Sequence, residues 1–101
     1  MEKHSATAYL GDIKLAETDE AIFLEGNYYF PSKDVNTKLF APSDLETVCP
    51  WKGLASYKNI ILGDKEIANA VWYYASPSEK ASYIQGMVAF DRMKGIKVTA
   101  D

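Results

Sequence analysis

Each of the six glycines of this chain stands in or beside a short polar turn or stop, and that spacing leaves little room for long elements. The turns are Gly11-Asp12, Glu25-Gly26-Asn27, the Cys49–Gly53 bend, Gly63-Asp64, the stop at Gly86, and Lys94-Gly95. Between them lie short runs rich in β-branched and aromatic residues. They are Ala6–Leu10, Ile13–Glu17, Ala21–Leu24, Tyr28–Phe30, Leu45–Val48, Leu54–Leu62, Asn69–Tyr74, Met87–Phe90 and Ile96–Val98. The expected fold is mainly β: a single small domain, residues 1–101, of seven or eight short antiparallel strands with one or two short helical turns. Residues 1–5 read as a loose polar terminus.

Local chemistry sharpens several of these expectations. Gly11-Asp12 suits a type II′ hairpin, because glycine takes positive φ at the first central position. Thr18-Asp19-Glu20 reads as a polar break between two strands. Along Leu54–Leu62, strict alternation puts Ala55, Tyr57, Asn59 and Ile61 on one face and Ser56, Lys58, Ile60 and Leu62 on the other. The same rule gives Trp72 and Tyr74 one face and Tyr73 the opposite one. Ser76-Pro77-Ser78-Glu79 has the form of a helix start, with Ser76 as cap, Pro77 at the first helical position and Glu79 three residues after the cap. That helix is expected to run to Ile84 and to end at Gly86.

Composition excludes some function classes. Hydrophobic residues make up 48 % of 101 residues, which suits a packed domain rather than a disordered chain. The formal charge is −3, whereas general nucleic-acid affinity needs a strongly basic face, so no nucleic-acid partner is expected. The charge is uneven: residues 1–50 carry nine acids and four lysines, and residues 51–101 carry seven bases and five acids. A local anion site in the second half stays open beside ordinary surface scatter. No apolar run is long enough for a membrane helix, and the first residues lack a signal-peptide pattern. The single cysteine permits no internal disulfide, which points to a reducing, cytoplasmic setting.

Thr47-Val48-Cys49-Pro50-Trp51-Lys52-Gly53 concentrates the only cysteine, one of two tryptophans, a proline and a glycine in seven residues. This stretch resembles the domain-of-unknown-function family numbered 427, which some collections file under a nucleotidyltransferase heading. Tyr28-Tyr29-Phe30-Pro31, Ala55-Ser56-Tyr57, Trp72-Tyr73-Tyr74 with Pro77, and Ile84 through Phe90 extend the resemblance from about Ala16 to Phe90. It implies a β domain similar to the β-tent folds of zinc-binding families. Those relatives carry paired cysteines and this chain has one, so no metal or other cofactor is expected. The sequence also holds no Gly-rich phosphate loop and no Asp-x-Asp pair.

The candidate catalytic residues are Cys49 and Lys52. Cys49 needs its thiolate to act as a nucleophile, and Lys52, three residues on, is its nearest helper in sequence. The competing reading is a buried cysteine packing as a small hydrophobe. Lys52, between Trp51 and Gly53, suits a point charge for a phosphate or carboxylate, a cation against an aromatic face, or a stem covering apolar surface. The candidate ligand-binding residues are Tyr29, Trp51, Lys52, Tyr57, Trp72 and Tyr74, weighed against plain core packing of large rings. The acids Asp34, Asp44, Glu46, Asp64, Glu66 and Asp91 show no telling spacing, and His4 stands alone.

Three functional readings follow. The first is a small-molecule-binding domain whose aromatic pocket surrounds Lys52. The second is an enzyme acting on a carbonyl or phosphoryl substrate through Cys49 or Lys52. The third is an interaction module, in which exposed aromatics and strand edges bind another chain or form a homodimer.

Overall fold

Two-residue turns make neighbours of consecutive strands. In the computed structural model, which describes residues 1–101, the strands are β1 (His4–Leu10), β2 (Ile13–Leu24), β3 (Asn27–Tyr29), β4 (Phe40–Cys49), β5 (Gly53–Leu62), β6 (Lys65–Tyr73), β7 (Val88–Phe90) and β8 (Ile96–Ala100). Gly11 takes φ +59 while Asp12 stays at negative φ, as a II′ turn requires and a I′ turn does not. The β2–β3 turn differs: Glu25 at φ +53 and Gly26 at φ +84 are both left-handed, the signature of type I′.

The strands form two antiparallel four-stranded sheets, ordered β3-β2-β1-β8 and β4-β5-β6-β7. Phe30 and Val88 join them by exchanging two backbone hydrogen bonds of 2.8 Å. The eight strands therefore follow one another as β8-β1-β2-β3-β7-β6-β5-β4. The two halves close on a shared inner core, with Ala6, Ala8 and Leu15 from one sheet meeting Ile60, Val71 and Phe90 from the other. The small side chains of β1 let the sheets approach.

A second core lies on the opposite face of the β7–β6–β5 sheet. It gathers Ile22, Tyr29, Ala55 and Tyr74 under Ala81, Ile84 and Met87 from the segment that follows β6. The seam between the sheets is thus buried on both sides, and consecutive residues serve different cores. Tyr29 packs outward and Phe30 inward, and all three residues of β7 are buried. The helical pieces are 3-10 turns at Ser32–Asp34, Thr37–Leu39, Glu79–Ile84 and Arg92–Lys94. No helix is long and apolar enough to cross a membrane.

Several local expectations are corrected. Thr18-Asp19-Glu20 does not break the chain, because β2 runs through it for 12 residues. Thr18 is buried but satisfied, donating to Asp34 at 2.7 Å and accepting from the Glu20 amide at 3.0 Å. The loose terminus is shorter than expected, since β1 begins at His4, whose ring stands edge-on to Tyr28 at 5.7 Å. β4 extends back to Phe40 and accommodates Pro42, as an edge strand with a bulge can. Alternation along β5 holds as expected: Ala55 and Tyr57 pack outward, and Ile60 and Leu62 inward. The bulge opposite Lys58 and Ile60 falls on β6, between Val71 and Ile67. The Asn59 side chain accepts the Asn69 amide at 2.8 Å, and Asn69 itself sits at φ +56.

Candidate functional site

The Cys49–Gly53 stretch is a hairpin end. Cys49 pairs with Gly53, and Pro50, Trp51 and Lys52 make the connection. Gly53 takes φ +112, and the backbone of Ser76, Pro77 and Ser78 packs 3.6 Å from where a side chain would project. That contact explains a further correction. The Ser76-Pro77-Ser78-Glu79 signature starts only 3-10 turns over Glu79–Ile84, and neither serine caps them in the expected way. Ser78 occupies the cap position without a side-chain capping bond. Its hydroxyl instead donates to the Trp51 carbonyl at 2.5 Å, and its amide to the Lys52 carbonyl at 2.8 Å. The would-be helix start is a clamp on the bend.

Clamped in this way, the bend turns Lys52 inward until the residue is only 6 % exposed. Its Nζ stands 5.3 Å from the Tyr74 ring centre and 5.7 Å from that of Trp51. It donates to the Glu25 carboxylate in an ion pair. Trp51 Nε1 donates to the other oxygen of the same carboxylate at 3.0 Å. Glu25 comes from the β2–β3 turn, which Arg92 steadies by donating to the Gly26 carbonyl at 2.9 Å.

The electrostatics follow from this contact. Burial acts to lower the Lys52 ammonium, but the Glu25 hydrogen bond and the neighbouring Tyr29 and Tyr74 phenols outweigh it, leaving the group well above the ordinary lysine value. Lys52 and Trp51 both donate to Glu25 and hold its carboxyl below the ordinary range. Burial pushes the Tyr74 phenol up.

Beside the pair opens a shallow cleft of about 400 Å³, and Tyr29, Lys52, Tyr57, Trp72 and Tyr74 all line it. Trp72 Nε1 donates to the Tyr29 hydroxyl at 3.2 Å, and the Tyr57 and Trp72 rings lie 6.4 Å apart at 44°. Strand alternation explains the set: Tyr57 faces Trp72 across the β5–β6 ladder, and Tyr73 points to the other side. Two predicted residues stand apart. Trp51 hydrogen-bonds to Glu25 but does not line the cleft, and it is 37 % exposed. Cys49 is half-buried against the outer core, as a small hydrophobe would be.

Glu25, Asn27 and Asp91 complete the lining, and sequence reasoning missed all three. In the sequence Glu25 reads only as part of a turn. Its one unusual property is a left-handed backbone, which non-glycine residues other than Asn and Asp avoid, and that is not visible in the order of residues. The molecule brings no three His, Cys, Asp or Glu side chains together as a metal-holding group.

No curated protein matches the chain. The pattern of one family does match it, over residues 2–99, a range that contains both sheets except the last residue of β8, the clamped bend and every residue of the cleft. On that match the chain belongs to the family described as Domain of unknown function (DUF427), which carries a nucleotidyltransferase label.

Proposed function

We propose that this domain binds a small, ring-bearing molecule that is neutral or cationic, in the cleft between the clamped bend and the Tyr57–Trp72–Tyr74 wall. The observation that carries this reading is the Glu25–Lys52 pair. Lys52 meets the cleft already neutralised, and Asp91 adds a second carboxylate, so two acids and one base leave a formal charge of −1. An anion would meet net repulsion there, and a neutral or cationic ring would not. The aromatic faces supply stacking and cation–π attraction, while Asn27 and the tyrosine hydroxyls supply oriented donors and acceptors. Glu25 adds support. A carboxylate kept at a left-handed turn position, where Gly or Asn would relax the backbone, is better explained by what it holds than by the turn.

The charge pattern ranks the alternatives. Phosphoryl transfer uses cations on the phosphate oxygens and carboxylates that hold magnesium, and this cleft has neither a free cation nor a metal-holding group. Lys52 as a nucleophile needs its neutral amine, whereas Glu25 keeps it charged. An enzyme acting through Cys49 or Lys52 therefore stands behind binding. The interaction module keeps one observation in its favour: Val48, 73 % exposed, lies directly opposite the exposed Leu54 near the hairpin end. Sedimentation at rising concentration separates it, since a homodimer through that patch would be lost in Val48→Ser. The lone cysteine fits a cytoplasmic setting.

The binding reading is tested by titrating ¹⁵N-labelled protein with benzamidine, a cationic ring, and nicotinamide, a neutral one. Saturable shifts are expected at the amides of Glu25 to Tyr29, Lys52 to Tyr57 and Trp72 to Tyr74. They should vanish in a folded Trp72→Ala variant. Shifts confined to other regions, or none, would overturn the reading.

A further inference from the structure

Strand alternation sends Tyr73 and Tyr74 to opposite faces of one sheet, and the inner face carries a cavity of its own. Lys58 pairs with Val71 across the β5–β6 ladder, and Tyr73 pairs with Val88 across β6–β7. Directly opposite residues share a face, so these four side chains lie together. With Phe40 they wall a cavity of about 340 Å³, and Ser32 and Thr37 bring two hydroxyls to its rim from the 3-10 turns after β3.

Lys58 is the one charged residue of this lining. Its Nζ stands 5.5 Å from the Tyr73 ring centre, and it takes part in none of the ion pairs of the molecule. Asp44 and Glu46 line an adjoining recess that shares Lys58 and Tyr73, but neither carboxylate pairs with the lysine. The result is a mostly apolar hollow with a single positive charge that makes no ion pair, and two neutral donors beside it.

We propose that this inner cavity is a second binding site, for a small carboxylate with an apolar body. The walls of Phe40, Val71, Val88 and Tyr73 accept the body by the hydrophobic effect. The ammonium and the two hydroxyls suit the head, because a charge-assisted hydrogen bond to a carboxylate is among the stronger polar contacts. A monoanion matches one lysine, whereas a phosphate would bring a second charge that nothing in the lining offsets. The site lies on the face of β6 opposite the Lys52 cleft, and it does not depend on what that cleft binds.

The test is a titration of the ¹⁵N-labelled chain with 4-phenylbutyrate, run beside its amide, 4-phenylbutyramide, and its amine counterpart, 4-phenylbutylamine. The acid should shift the amides of Lys58, Val71 to Tyr73 and Gly86 to Val88 saturably, and the amide and the amine should bind about tenfold more weakly or less. Lys58→Met, which keeps the apolar stem and removes the charge, should weaken the acid by about tenfold or more with the spectrum otherwise retained. Lys80→Met, at an exposed lysine away from the cavity, should leave it unchanged. The proposal is overturned if the acid causes no saturable shift at these amides up to on the order of 10 mM. It is equally overturned if the amine binds as well as the acid, or if folded Lys58→Met binds the acid like the parent.

Discussion

Lys52 and Lys58 each hold an ammonium over a tyrosine at nearly the same distance, 5.3 Å and 5.5 Å, and the two tyrosines are consecutive. The likeness ends there. Lys52 is buried and paired with Glu25, while Lys58 is half-buried and unpaired. The same lysine–tyrosine contact therefore serves two chemistries. On the outer face the charge is spent inside the protein, and the cleft is left slightly negative. On the inner face the charge is open to a ligand. A lysine beside aromatic rings says little about ligand charge until its counter-ion is found.

The largest effect that bears on the two faces concerns the seam they share. Phe30 is fully buried in the inner core, and Phe30→Ala should cost about 3–5 kcal/mol in urea denaturation. Tyr29→Phe keeps the ring in the outer core and removes only the acceptor of the Trp72 hydrogen bond, so it should cost about 1 kcal/mol. If the two costs were equal, the Tyr29 hydroxyl would be holding more than its one hydrogen bond to Trp72.

Next come the lysines themselves. Lys52→Met strips a half-exposed Glu25 of its partner and a buried stem of its polar contact, and should cost about 1–2 kcal/mol. Lys58→Met should stay within about 0.5 kcal/mol of the parent, because no ion pair is lost. Equal losses would erase the distinction between them.

Glu25 sharpens it further. With Lys52 present, Glu25→Gly should lower the melting temperature, since a buried ammonium loses its counter-charge. In a Lys52→Met background the same change should raise it, because only the left-handed strain remains to be relieved. A loss in both backgrounds would show that Glu25 is held there by something other than Lys52.

The smallest effect is the pH dependence of the pair. The carboxyl of Glu25 is depressed in the folded state, so its contribution is complete above the ordinary carboxylate value and is lost as pH falls through the depressed one. Lys52 is raised, so its contribution is complete below the ordinary lysine value and is lost only as pH rises through the raised one. The stability gap between the parent and Lys52→Met should narrow in acid and persist into alkaline solution beyond the usual lysine range.

Much of this architecture is legible in the sequence. Turn chemistry at Gly11-Asp12 and alternation at Trp72-Tyr73-Tyr74 are local properties, and both are observed as expected. Tyr29, Tyr57, Trp72 and Tyr74 share the lining of one cleft with Lys52. Three things were not legible, each for a long-range reason. The bulge of β6 at Asn69 depends on a side-chain bond from Asn59 of the neighbouring strand, and it holds a non-glycine residue at positive φ inside a strand. Ser78 carries a helix-start signature, but its hydroxyl is claimed by Trp51 from another hairpin. Glu25 becomes the counter-ion of Lys52 only because a turn 27 residues away is folded against the bend.

If the neutralised Lys52 makes the outer cleft selective against anions, reversing the charge of the cleft should reverse that selectivity. Glu25→Gln with Asp91→Asn preserves side-chain shape and turns the formal charge of the cleft from −1 to +1. Binding of benzamidine and of benzoate, isosteric rings of opposite charge, is then followed at the Tyr57, Trp72 and Tyr74 amides in the parent and in the double variant. Benzamidine should shift these amides in the parent, and benzoate should do so in the variant. Benzoate moving them in the parent, or the preference staying the same in both proteins, would contradict that selectivity.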